Sequence, residues 1–174
     1  MTIGERQNIE LKVADDDPAA TERACRALGA VDHGVLEQRD TYYAVEQGRL
    51  KLREDLAGGT GELIFYLRPD ESGLRSSRYW RAPTTDPAAL ADLLTAAHGV
   101  VGVVTKRRRL FVYRNVRIHL DEVEGLGSFV ELESVLEDAD RESDDEAQAL
   151  AAVVRALDLS AREAIAGGYA DLTR

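Results

Sequence analysis

Polar and apolar residues alternate at period two in four short stretches of this chain. They are Asn8-Ile9-Glu10-Leu11-Lys12-Val13, Arg49-Leu50-Lys51-Leu52-Arg53, Val116-Arg117-Ile118-His119-Leu120-Asp121 and Phe129-Val130-Glu131-Leu132-Glu133. Side chains at i and i+2 share one face of a strand, so each stretch predicts one apolar and one ionic face. Eight strands are predicted in all, at residues 7–13, 34–45, 48–54, 61–68, 76–82, 102–114, 116–123 and 128–136. The ionic faces sort by sign. The first and last strands supply mainly carboxylates, the middle ones almost only Lys and Arg. A sheet with its charges in water and a barrel with its charges in a lumen satisfy this alternation equally, so periodicity leaves both open.

Helices interrupt the strands at three places. Asp17-Pro18 and Asp86-Pro87 each put an N-cap acid before a Pro at the first helical position, with Gly29 and Gly99 at the far ends. Leu90, Leu93 and Leu94 follow the second of these starts. Ser143-Asp144-Asp145-Glu146 reads as a capping box, followed by Ala147, Leu150, Ala151, Val154 and Leu157 at helical spacing. A short fourth helix is expected from Ser160. Gln47-Gly48 and Arg114-Asn115 read as tight hairpin turns, and no linker or internal repeat divides the chain.

With 174 residues, 44% hydrophobic and 31% charged, the chain is most simply one globular domain with a real core. No apolar run approaches a membrane span and no signal-peptide core is visible, so a cytoplasmic protein without membrane partners is expected. A single cysteine, Cys25, excludes an internal disulfide and a Cys-based zinc site, and its place in a helix makes it packing. The net charge of −10 argues against nucleic acid as partner. Yet 13 of the 22 Lys and Arg residues fall between Arg49 and Arg117, while Glu131 to Glu146 is strongly acidic. A concentrated basic middle in an acidic chain suits a small anion better than a long one.

Several common motifs are missing. Gly58-Gly59-Thr60-Gly61 lacks the Lys and helix of a phosphate loop, and Gly125-Leu126-Gly127 lacks the third Gly of a dinucleotide fingerprint. His33, His98 and His119 have no metal-ligand spacing. What remains is an ordered set. It runs from Asn8-Ile9-Glu10-Leu11-Lys12 through Leu50-Lys51-Leu52-Arg53-Glu54, Tyr66-Leu67-Arg68-Pro69 and Lys106-Arg107-Arg108. It continues in Arg117-Ile118-His119-Leu120-Asp121 and Gly125-Leu126-Gly127-Ser128-Phe129-Val130-Glu131-Leu132-Glu133, and ends in Gly168-Tyr169-Ala170-Asp171-Leu172.

This set resembles the CYTH superfamily, the triphosphate tunnel metalloenzymes, and within it the class IV adenylate cyclase branch. The resemblance spans nearly the whole chain and implies one CYTH-like domain over residues 1–174. The implied fold is α+β, an eight-stranded antiparallel β-barrel with its ionic faces inside and helices packed outside. It implies a divalent-metal-dependent enzyme acting on a nucleoside triphosphate, converting ATP to cyclic AMP and pyrophosphate. The alternatives are a triphosphatase for tripolyphosphate, thiamine triphosphate or another organic triphosphate, and a non-catalytic triphosphate-binding module. Carried over by position, Glu10, Glu131 and Glu133 would hold Mg2+ or Mn2+, hard ions that take oxygen ligands. Lys12, Lys51, Arg53, Arg68, Lys106 and Arg108 would line the triphosphate site. Lys12, Arg53 and the acidic Asp121 would act at the reacting phosphate. A homodimer is also implied.

One position departs from the family pattern. Asn8 stands where the motif has its first Glu, which removes a negative charge from the expected metal side. Arg107 and Arg109, offset by one from Lys106 and Arg108, are expected to face water. Arg75 and Arg78 fit either a lumen or the surface, His119 either a structural hydrogen bond or proton transfer, and Tyr169 reads first as core.

Overall fold

In the computed structural model, described for residues 4–137 and 142–172, eight antiparallel strands close on themselves. They are β1 (Arg6–Ala14), β2 (Val31–Tyr43), β3 (Arg49–Asp55), β4 (Gly61–Leu67), β5 (Arg75–Thr84), β6 (Val100–Tyr113), β7 (Val116–Val123) and β8 (Gly127–Val135). Around the barrel the order is β1-β5-β4-β3-β2-β6-β7-β8, and β1 pairs with both β5 and β8 to complete the ring. Closure leaves no unpaired strand edge. No helix among the described residues is long and apolar enough to cross a membrane.

The barrel carries its apolar residues on the outside. Outward-facing Leu11, Val13, Phe111, Val116, Ile118, Val130 and Leu132 pack against Cys25 of α1 (Pro18–Leu28) and Ala149, Leu150 and Val153 of α3 (Asp144–Ala156). On the opposite side Tyr43, Leu50, Leu52 and Leu63 lie under Leu90, Ala91 and Leu94 of α2 (Pro87–His98). The hydrophobic core is thus a shell between barrel and helices, and the lumen is free for charge.

Local signals set the helices. Asp17 accepts a hydrogen bond from the Ala20 amide and Asp86 one from the Ala89 amide. Gly29 ends α1 in the left-handed region at φ 82°, and Ser143 with Glu146 forms a reciprocal capping box on α3. Burial pushes the Cys25 thiol up to about 12, as for an inert packing residue.

Two expectations are corrected, at the start of β2 and at Ser160. β2 begins at Val31, because Asp32-His33-Gly34 forms an irregularity within the strand, with Gly34 at φ 89°, in place of a loop before it. On α2, Leu94 is buried while Leu93 is 65% exposed. The helix expected at Ser160 is a single 3-10 turn, Leu159–Ala161. Beyond it the chain is drawn onto β1: Ala164 bridges Val13, and the Ile165 amide donates to the Lys12 carbonyl. Backbone groups committed to a strand cannot continue a helix. A last short helix, α4 (Tyr169–Leu172), lies across one end of the barrel, where Tyr169 and Ala170 pack on Tyr42, Val104, Val123 and Phe129. Within the acidic stretch from Glu137 to Glu146, residues 138–141 lie outside the described residues.

Ile118 is fully buried between β7 and the helical layer. Ile118→Ala is expected to cost about 2–5 kcal/mol, read from the urea midpoint at unchanged m-value.

Candidate functional site

Every strand contributes inward side chains to one cavity of about 350 Å3. β1 supplies Asn8, Glu10 and Lys12; β3 supplies Lys51 and Arg53; β6 supplies Lys106 and Arg108; β8 supplies Glu131 and Glu133. Arg68, just beyond β4, and His119 of β7 complete the polar lining. All the cations and carboxylates singled out for substrate and metal are therefore brought to one lumen. Asp121 differs. It is fully buried behind the lining, with both carboxylate oxygens 2.6 Å from Arg108 and one accepting from the Tyr169 hydroxyl at 2.8 Å.

The two faces of β6 separate as expected. Lys106 and Arg108 are buried, whereas Arg107 is exposed beside Glu37 and Arg109 binds Asp32 and Glu22 outside the barrel. In β5, Arg75 turns inward and Arg78 outward, where it pairs with Glu5. Tyr169 joins core and site: its ring lies 3.6 Å from the Lys12 ammonium.

The lumen is less sorted by sign than the strand pattern predicts. Asp40 of β2, fully buried, accepts from Arg53 at 2.8 Å and Lys51 at 2.9 Å, with Lys106 at 3.4 Å. Burial works against its ionisation, but Arg53, Lys106 and Lys51 hold its carboxyl well below the usual range. Asp40 and Asp121 thus put anions inside the cationic half. The same crowding lowers the lysines. Burial, then the charge of Arg108, brings Lys106 down to about 7, and burial with Arg53 brings Lys51 down to about 8.

On the carboxylate side, β1 and β8 set Glu10 opposite Glu133 and Lys12 opposite Glu131. Glu131 lies 3.1 Å from Lys12 and 2.7 Å from Arg108, and despite burial these cations hold it well below its ordinary value. Glu10 is held by Arg68 at 2.5 Å and Arg75 at 3.0 Å, both on Oε1. The groups that converge as donors to a metal are Glu131, Glu133 and His119, with ligand atoms within 4.8 Å of one another. Burial and the nearby Arg108 lower His119 below its ordinary value, which keeps the ring neutral near pH 7. The Asn8 side-chain oxygen is buried without a hydrogen-bond partner among the described residues.

Sequence reasoning missed Asp40 and left Arg75 undecided. In Leu36-Glu37-Gln38-Arg39-Asp40-Thr41-Tyr42 both faces are polar, so alternation cannot orient the segment. It also missed an apolar stretch of lumen, Leu36, Ile64 and Leu110 with Tyr79. These residues look like ordinary core until closure turns them inward.

A family model described as the CYTH domain matches residues 6–169. No curated protein is significantly similar to the chain in sequence. Among solved structures, the PH1012 protein of Pyrococcus horikoshii OT3 is 24% identical, with TM-score 0.79 over 95% of this chain and 98% of that one. A protein of Vibrio parahaemolyticus described as a putative adenylate cyclase is 17% identical, with TM-score 0.76 over 98% of both chains. HpAC1 of Hippeastrum, described as a putative adenylyl cyclase with a dominant triphosphatase activity, is 15% identical, with TM-score 0.62 over 95% and 93%. At these identities the likeness establishes the fold.

Asp40→Asn leaves Arg53, Lys51 and Lys106 without their buried counter-ion. It should destabilise the ligand-free protein by about 3–5 kcal/mol, and saturating tripolyphosphate should restore much of the loss in thermal melts. Lys106, brought to about 7, is largely neutral at pH 8, and a nearby polyanion raises it again. Calorimetry in buffers of different ionisation enthalpy should show greater proton uptake on tripolyphosphate binding at pH 8 for the unaltered protein than for Lys106→Arg. The difference should vanish at pH 6, where both side chains are already charged.

Proposed function

Because the chain belongs to the CYTH family, we propose that it is a divalent-metal-dependent enzyme acting on the triphosphate of a nucleoside triphosphate, converting ATP to cyclic AMP and pyrophosphate. One observation carries this reading: Lys12, Lys51, Arg53, Arg68, Lys106 and Arg108 share a single lumen with Glu131 and Glu133. A polyanion entering it would exchange the internal carboxylate partners of these cations for phosphate oxygens. Guanidinium forks suit such oxygens, and the low-dielectric wall strengthens every contact.

The donor set fits a divalent cation, since the buried Glu131, the half-buried Glu133 and an imidazole meet there without a hydrogen bond to the ring nitrogen. Glu131 and Glu133 would hold the ion, with Glu10 nearby on β1; the ion would neutralise phosphate charge and acidify the attacking hydroxyl. Lys12 and Arg53 act on the reacting and leaving phosphates, Lys51 and Lys106 hold the tail, and Asp121 positions Arg108 through its paired bonds. In the reaction the ribose 3′-oxygen bonds to the α-phosphorus. The bond from that phosphorus to the oxygen bridging to the β-phosphate breaks, pyrophosphate leaves and the hydroxyl proton passes to solvent. Catalysis here is mainly positioning and stabilisation of developing charge.

The apolar stretch Leu36, Ile64 and Leu110 favours a substrate with an organic head group over bare tripolyphosphate. A second reading is hydrolysis of an organic or inorganic triphosphate. It is favoured by the dominant triphosphatase activity described for the Hippeastrum protein of the same fold. Product analysis separates the two. With ATP and Mg2+ or Mn2+, cyclic AMP and pyrophosphate are expected, whereas ADP and phosphate would establish the hydrolase. Metal-independent binding without turnover of any triphosphate would overturn both. Arg53→Ala should lower kcat/KM by roughly 10²–10³.

A further inference from the structure

We infer that His119 is a protein ligand of the metal together with Glu131 and Glu133, and that the site therefore selects Mn2+, Co2+ or another first-row transition ion over Mg2+. The inference rests on the metal-dependent reading above and deepens it. Neither the spacing of the three histidines nor the family motif points to this residue. Strand register brings it to the carboxylates, because His119 lies directly opposite Glu131 in the β7–β8 ladder. His119 is buried, at 4% exposure. Its Nδ1 makes no hydrogen bond among the described residues and lies 3.5 Å from one Glu131 oxygen and 4.0 Å from one of Glu133. A buried imidazole nitrogen that faces two carboxylates without closing a hydrogen bond is poorly satisfied, and a cation between them would bind all three groups.

Glu10 stands apart from this group: the ligand atoms that lie within 4.8 Å of one another are those of His119, Glu131 and Glu133. Arg68 and Arg75, both deeply buried, converge on Glu10 Oε1 and hold its side chain toward them. Asn8, two residues earlier on the same face, is neutral, so β1 has no second carboxylate to offer there. Glu131 is itself bound by Lys12 and Arg108. However, a carboxylate has about four lone-pair sites, and Arg108 retains its paired contact to Asp121. One nitrogen and two carboxylates form a mixed donor set. Such a set suits borderline transition ions, whereas Mg2+ prefers oxygen donors and keeps its water.

The test is metal binding to the full chain, without substrate and without turnover. Mn2+ and Co2+ should bind the unaltered protein at least roughly tenfold tighter than Mg2+. His119→Gln keeps a polar side chain of similar length but loses the imidazole. It should weaken Mn2+ and Co2+ by roughly 10–100-fold and change Mg2+ little. Pulsed electron paramagnetic resonance of the Mn2+-loaded unaltered protein should show nitrogen modulation from a coordinated imidazole, a readout that does not depend on the variant folding. Mn2+ binding that is lost in Glu131→Gln but shows no nitrogen modulation would overturn the His119 assignment and leave the proposed function standing. Failure of all three ions to bind, with tripolyphosphate present or absent, would overturn both.

Discussion

A charged lumen can persist without ligand only if its charges neutralise one another, and on its cationic side Asp40 and Asp121 do this. Each is fully buried and lies among cations: Asp40 among Arg53, Lys51 and Lys106, Asp121 against Arg108. Uncompensated, buried guanidinium and ammonium groups would carry desolvation costs of several kcal/mol each. The two carboxylates hold the cationic side chains in place before substrate arrives, so little reorganisation is left for binding. They also temper affinity, since an incoming phosphate must compete with them.

The rest of the architecture follows from putting charge inside. A barrel that gives its lumen to ions cannot use it as a core, so the apolar side chains face outward and require cover. α1 and α3 cover one side and α2 the other, through Leu132, Ile118 and Phe111 in the first shell and Leu52 and Tyr43 in the second. The pairing β2–β6 joins the two covered halves with the two longest strands, of 13 and 14 residues. Stability and chemistry are thereby separated onto opposite faces of the same strands. Residue i serves the shell and residue i+1 the site.

Much of this was legible before any coordinates. The strands β1, β3, β7 and β8 and the caps at Asp17, Asp86 and Ser143 follow from local pattern, because they depend on neighbours in sequence. Which way the ionic faces look does not, since alternation is unchanged when a sheet is turned over; the family resemblance supplied that orientation. Asp40 was hidden because its strand is polar on both faces. Arg75 and His119 were undecided because their meaning lies in register, Arg75 opposite Glu10 and His119 opposite Glu131, and register is a long-range property. The expected helix at Ser160 failed for the same reason: a distant strand claimed its backbone.

The segment carrying Tyr169 has a mechanical consequence. The Tyr169 ring lies against the Lys12 ammonium and packs on Phe129, while its hydroxyl donates to Asp121. Asp121 in turn holds Arg108 through both of its oxygens. A small shift of this short helix is therefore felt at once by two cations of the lumen, and packing and site are mechanically coupled through one aromatic side chain.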